Sequence, residues 1–130
     1  MKARAPRSAA ELLAAFQAGN QPKCSRRGDS IPNLETCQGY FGSPAIGCAV
    51  AEEAGQLHGA IVFKRTGQVE WLFCKTTKWS SAAGDLLAYA KLESGGVAPF
   101  GTVEADQARA LFANEPALFA ISGEVVRWLL

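Results

Sequence analysis

Residues 43–94 read SPAIGCAVAEEAGQLHGAIVFKRTGQVEWLFCKTTKWSSAAGDLLAYAKLES, and the periodicity of this stretch decides the fold. From Ala45 the period is two. Ile46, Cys48 and Val50 alternate with Ala45, Gly47 and Ala49, as side chains do on the two faces of a strand. Glu52–Gln56 turns the chain, and a second run sets Leu57, Ile61 and Phe63 on one face against Ala60 and Val62 on the other. Arg65-Thr66-Gly67-Gln68 turns it again, with glycine where a positive φ is needed. Val69, Trp71 and Phe73 then oppose Glu70, Leu72 and Cys74. Such runs between glycine-bearing turns predict an antiparallel meander, and apolar residues on both faces predict cover on both. Ser80 or Ser81 caps a following helix whose apolar stripe is Ala83, Leu86, Leu87 and Ala90, ended by Gly95-Gly96.

Upstream, Ser8-Ala9-Ala10-Glu11 forms a capping box. It opens a helix over residues 9–18 whose stripe is Ala9, Leu12, Leu13 and Phe16, with Gly19 as its left-handed stop. Residues 19–44, punctuated by Pro22, Gly28, Pro32, Gly39, Gly42 and Pro44, read as a long loop with a brief helix over Asn33–Gln38. A loop of that length either closes over a site or simply connects. Downstream, Val97–Val103 is an irregular or edge strand broken by Pro99 and Gly101. Thr102 caps a further helix through Asn114, and a hairpin of Leu118–Ile121 with Val125–Leu130 ends the chain. The whole of residues 1–130 reads as one α+β domain, a mixed, mainly antiparallel central sheet with three to four helices.

Composition excludes several function classes. The chain is 48% hydrophobic and 19% charged, enough for an ordinary core. Thirteen basic and twelve acidic residues leave a net charge of +1, which argues against a nucleic-acid surface. No apolar run reaches the roughly 18 residues of a membrane span. Glu11 interrupts what would have to be an apolar signal region after Lys2, Arg4 and Arg7, so a cytoplasmic location is expected. Four cysteines and one histidine contain no C-x-x-C pair and make no Cys2His2 metal site. Cys24, flanked by Lys23, Arg26 and Arg27, is either a reactive thiol or an inert loop cysteine.

This order of elements resembles the GNAT-type acetyltransferases, which pass an acyl group from acyl-coenzyme A to an amine. The likeness spans the chain, with residues 2–7 as a first strand, and its best stretch is Gln56 to Leu92, including Gly59, the Leu72-Phe73-Cys74 strand end and the Leu86-Leu87 pair. The family's loop Gln/Arg-x-x-Gly-x-Gly/Ala corresponds here to Trp79-Ser80-Ser81-Ala82-Ala83-Gly84: the last glycine matches, Ala82 replaces the first, and Trp79 replaces the cation or amide. Backbone N–H groups at such a helix start lack intrahelical partners and suit a pyrophosphate, and small residues allow its close approach. The resemblance therefore implies acetyl-CoA as cofactor, held by Trp79–Gly84 with its thioester along Leu72, Phe73 and Cys74. It implies Glu70 as the base acting on a small-molecule or protein amine acceptor, and leaves room for a homodimer. The family's helix motif Asn-x-x-Ala-x-x-Leu-Tyr corresponds to Ala105–Phe112, where Phe112 replaces the tyrosine that protonates the leaving thiolate. The acid is then water, Tyr40 or Tyr89, or is absent.

Two other readings stand beside this one. The first is a non-catalytic protein-binding domain, either an inactive relative of the same fold or an unrelated α+β protein. The second is a small cysteine hydrolase with Cys37 as nucleophile and His58 as base. No P-loop, Rossmann glycine fingerprint or Gly-x-Ser-x-Gly elbow occurs.

Overall fold

The computed structural model describes residues 1–19, 22–25, 31–75, 79–102, 119–122 and 125–128, with backbone alone at 22–25, 79–80, 102, 119–122 and 125–128. The elements in chain order are β1 (Lys2–Arg4), α1 (Ala9–Gly19), β2 (Pro22–Ser25), α2 (Leu34–Phe41), β3 (Ile46–Glu53), β4 (Gln56–Lys64), β5 (Val69–Cys74), α3 (Trp79–Glu93), β6 (Phe100–Thr102), β7 (Phe119–Ser122) and β8 (Val125–Trp128). A five-stranded sheet has the order β1-β3-β4-β5-β2, with every pair antiparallel. A second sheet, β6-β8-β7, is also antiparallel. A parallel bridge between Gln68 and Phe100 joins the two. The helix expected over Thr102–Asn114 lies outside the described residues. Among those described, no helix is long and apolar enough to cross a membrane.

The large sheet is covered on both faces. Leu12, Ala15 and Phe16 of α1 and Cys37 of α2 pack on Val50, Ala60, Val62, Trp71 and Phe73. Ala82, Ala83, Leu86, Leu87 and Ala90 of α3 pack on Ala49, Ala51, Ile61, Phe63, Leu72 and Cys74. The phase of the strands departs from simple alternation at two places. The β3–β4 register passes from Ala51↔Gly59 to Glu52↔Leu57, leaving His58 as an extra residue and turning Leu57 to the α1 face rather than beside Ile61. The β4–β5 register passes from Val62↔Trp71 to Phe63↔Val69, leaving Glu70 as a second extra residue and turning Val69 to the α3 face. Both are β-bulges, which shift the faces of every residue beyond them.

Local chemistry explains the element ends. Ala54 and Gly55 have φ of 53° and 78°, the pair of positive values that a two-residue type I′ hairpin requires. Gly95 and Gly96 also have positive φ, and their N–H groups donate to Leu92 O and Lys91 O at 3.3 and 2.8 Å, a Schellman stop for α3. Two expectations need correction. Helix α3 starts at Trp79, so Ser80 and Ser81 lie in its first turn instead of capping it. Gly19 is not a left-handed stop but the last residue of α1, lacking a side chain because a Cβ there would lie 2.9 Å from the Phe73 carbonyl carbon. Helix α2 runs through Gly39 to Phe41 and is capped by Asn33, whose side chain accepts the Thr36 N–H at 2.8 Å.

Arg4 ties the first strand to both layers. Its guanidinium donates to both Glu11 carboxylate oxygens, at 2.7 and 3.0 Å, and to Glu52 at 2.7 Å. Glu11 also accepts the Arg7 N–H at 2.8 Å, while the Ser8 hydroxyl accepts the Glu11 N–H at 3.1 Å. The hydrogen bond from Arg4, then that from the Arg7 amide, hold the Glu11 carboxyl down to about 2 against its usual 4.5. A carboxyl depressed in the folded state contributes stability above its unfolded value and loses it as the pH falls through the folded one. The window is therefore pH 4.5 down to about 2. Because the cluster is partly open to water, about 1–2 kcal/mol is expected from it. Denaturant midpoints should fall over that window, and Glu11→Gln should flatten the profile there. An unchanged slope in that variant would contradict the linkage.

Candidate active site

The site expected from the sequence lies where α3 opens over the end of β5. Ala82 and Ala83 are buried in the same cluster as Leu72 and Cys74, so the first turns of α3 rest on the C-terminal half of β5. Ser81 points outward and is exposed, and a Cβ on Gly84 would meet nothing within 4 Å. The outer face of α3 carries little bulk at Ser81 and Gly84, while Ala82 and Ala83 form its buried inner face. Trp79 and Ser80 belong to the first turn, and their side chains lie outside the described residues. Leu72 and Cys74 face α3, Phe73 faces α1, and all three are fully buried. Any contact with Leu72–Cys74 must therefore be made by their backbone.

That backbone is tightly held. Gly59 pairs with Cys74, Ala60 with Phe73 and Ile61 with Leu72 along one edge of β5, and Lys75 N–H extends the ladder to His58 O at 2.8 Å. Along the other edge, β2 pairs antiparallel, with Pro22 opposite Phe73, Cys24 opposite Leu72 and Ser25 opposite Trp71. Nothing in the residue pattern announces this strand, which falls in the stretch read as a long loop. Among the described residues, β6 is bonded beside β5 at its start, where Gln68 bridges Phe100 and Phe100 N–H donates to Gly67 O at 3.0 Å. Past that point the two strands join different sheets, and β2 lies close to both.

Glu70 is the extra residue of the β5 bulge. Its carboxylate is largely shielded and pairs with Lys64 Nζ at 3.5 Å. Bulges commonly re-aim one side chain at a sheet opening. Tyr40, one of the two alternative acids, comes to the neighbouring β5 residue, where its hydroxyl accepts the Trp71 indole N–H at 2.6 Å. Tyr89 lies on the α3 face. It packs edge-on against Phe63 and lines a cavity of about 170 Å³ with Tyr40, Phe41, Gly47, Cys48 and Arg65. Burial, and then the nearby Glu93, raise the Tyr89 phenol above its ordinary value.

The proposed Cys37–His58 pair does not assemble. Cys37 is buried under α2, and its charge-bearing neighbour is Cys48, opposite Val62. His58 lies four residues along β4 from Val62, roughly 13 Å at about 3.3 Å per residue. Burial raises the Cys37 thiol and, with Cys37 beside it, pushes Cys48 up to about 12, the reverse of what a nucleophile needs. No metal-binding group of three or more acidic, histidine or cysteine side chains occurs among the described residues.

No known family model matches the sequence, and no curated protein matches it. Solved structures do. An aminoglycoside acetyltransferase, AAC(6')-Ib, in complex with coenzyme A and kanamycin, aligns over 97% of this chain and 92% of its own with a TM-score of 0.59 at 13% identity. An acetyltransferase from Thermus thermophilus aligns over 98% of this chain and 95% of its own with a TM-score of 0.57 at 16% identity. The fold is that of the GNAT acetyltransferases. The alignments cover nearly the whole chain, so the likeness is to the fold as a whole. β5 is the strand, and the opening of α3 the helix start, to which the sequence resemblance assigns the cofactor. The strand β2 along the outer edge of β5 is the feature that bears most directly on that assignment.

Proposed function

We propose that the protein is a divergent acyl-CoA-dependent N-acyltransferase that moves an acetyl group from acetyl-coenzyme A to an amine. The observation that carries this reading is the GNAT fold over nearly the entire chain, with a small-residue helix start lying over the end of the central strand. Residues Trp79–Gly84 would line the diphosphate, the amides of Trp79–Ser81 donating to it, since the first N–H groups of a helix have no intrahelical acceptor, and the bare Gly84 leaving room beside them. When bound, the cofactor supplies the activated acyl group. The backbone of Leu72–Cys74 fits the remainder of the cofactor less well, because both edges of β5 are already paired there.

Glu70 is the proposed base. Its carboxylate sits at the bulge, beside Lys64, where it would take the proton from the attacking amine. Such a group contributes about 10²–10⁴-fold. A small-molecule amine is the favoured acceptor, since one neighbour holds kanamycin, an amine-bearing compound. Tyr40 is the better placed of the two tyrosines to return a proton, being anchored to Trp71 next to Glu70.

Acetyl-coenzyme A at one hundred times its dissociation constant should stabilise the fold by about 2.7 kcal/mol by mass action. For a domain of this size that is a rise of roughly 10 °C in melting temperature. Glu70→Gln should keep the rise and lose about 10²–10⁴-fold in acetyl transfer. A second reading, a non-catalytic binding protein on the GNAT fold, is favoured by the β2 strand on the edge of β5 and by Phe112 in the tyrosine position. Under it, millimolar acetyl-coenzyme A leaves the melting temperature unchanged.

A further inference from the structure

The pairing of β2 with β5 is short, irregular and placed at one consequential point. Its register is Pro22↔Phe73, Cys24↔Leu72, Ser25↔Trp71, with a shift between Pro22 and Cys24. Pro22 has no N–H to donate. The strand is four residues long and is an outer strand of its sheet. Among the described residues 22–25 only alternate amides can face β5, and the proline and the shift each remove an opportunity for a ladder bond. The opposite edge of β5 is very different: five registered pairs with β4, buried on both faces between the α1 and α3 clusters. One edge of the central strand is permanently closed, and the other is closed by a weakly tied segment of the same chain.

We infer that β2 is a displaceable strap that occupies the acyl-carrying edge of β5 in the resting protein, so that β2 and acyl-coenzyme A compete for the backbone of Trp71–Phe73. This rests on the acyltransferase reading and deepens it. An extended acyl-pantetheine arm offers amides able to pair with a strand edge, and β2 already satisfies that edge. β5 and β6 join different sheets beyond the Gln68–Phe100 bridge, and β2 lies near both. Release of the strap exposes the gap between the two sheets. The apparent affinity for coenzyme A is then the intrinsic affinity reduced by the fraction of molecules with β2 released.

The test detaches β2 without touching β5. One of Cys24 and Ser25 turns its amide toward β5, and the double replacement Cys24→Pro/Ser25→Pro removes it whichever it is. Coenzyme A binding is measured by calorimetry for the native protein and the variant, with far-ultraviolet dichroism to establish that the variant is folded. The strap predicts that the variant binds at least about tenfold more tightly, the gain expected when a competent fraction of a tenth or less becomes nearly complete. In the native protein, hydrogen exchange with and without coenzyme A gives a second readout that does not depend on any variant. Whichever of the Cys24 and Ser25 amides faces β5 should lose protection on binding while those of Trp71–Phe73 keep it. Equal affinities, with β2 protection unchanged or increased by the ligand, overturn the strap and leave the acyltransferase reading standing. Absence of binding by both proteins at millimolar coenzyme A overturns both. A variant that does not fold leaves the exchange measurement to decide between the first two results.

Discussion

Gly59→Ala should be among the most damaging single-methyl changes in the protein. A Cβ at position 59 would sit 2.3 Å from the Phe73 carbonyl oxygen and 2.9 Å from the Cys74 Cα, both backbone atoms of the strand paired with it. The bulge at His58 sits directly beside this pairing, where Gly59 meets Cys74. No flexible side chain can give way, so β4 and β5 would have to part at the end of the central strand. Overpacking costs about 1–3 kcal/mol when side chains can adjust and more when they cannot, so about 3 kcal/mol or more is expected. That corresponds to a fall of roughly 10 °C or more in melting temperature. Gly47→Ala makes an instructive comparison. Its Cβ would fall 2.3 Å from the Phe63 ring, but a ring end can move, and a loss of about 1–2 kcal/mol is expected. Gly39→Ala, with nothing within 4 Å in α2, is the control and should be neutral or slightly stabilising. If Gly59→Ala melts within about 3 °C of the native protein, the close approach of β4 and β5 is not as described.

The same two glycine contacts show what a sequence can and cannot reveal. The alternation of Ile46, Cys48 and Val50, the turn glycine at 67 and the Gly95-Gly96 stop each act through their own residues, and each is legible. The bulges at His58 and Glu70 are different. An extra residue in one strand is defined only against its partner, so the faces of Leu57 and Val69 could not be read from either strand alone. Gly19 has the same character: its position before Pro22 suggests a helix stop, while its reason is the backbone of Phe73, more than fifty residues away.

The site divides along the same line. Small residues at the opening of α3 and a carboxylate on β5 were visible, because they are properties of single elements. The cover on β5 was not, because Pro22-Lys23-Cys24-Ser25 has a proline, a charge and no alternating apolar pattern. Its strand character is conferred by the edge it pairs with. The Cys37–His58 pairing failed for the converse reason. Two reactive residue types in one sequence carry no distance, and the fold puts a length of β4 between them.

Gly84 separates the demands of the fold from those of a ligand. It lies in the sixth position of α3, half-exposed, with open space where a Cβ would be. Nothing in the packing asks for glycine, and inside a helix glycine costs about 1 kcal/mol relative to alanine. Gly84→Ala should therefore raise the melting temperature by roughly 3 °C. Under the acyltransferase proposal, a diphosphate seated over the opening of α3 would supply the missing reason, since it needs the backbone bare. Gly84→Glu then places both bulk and negative charge in that seat. Coenzyme A affinity should fall about a hundredfold or more, equivalent to about 2.8 kcal/mol, while the thermal stability stays near that of the native protein. Retention of full affinity by Gly84→Glu would remove the helix start from the site, and the case for an acyltransferase would then rest on the fold alone.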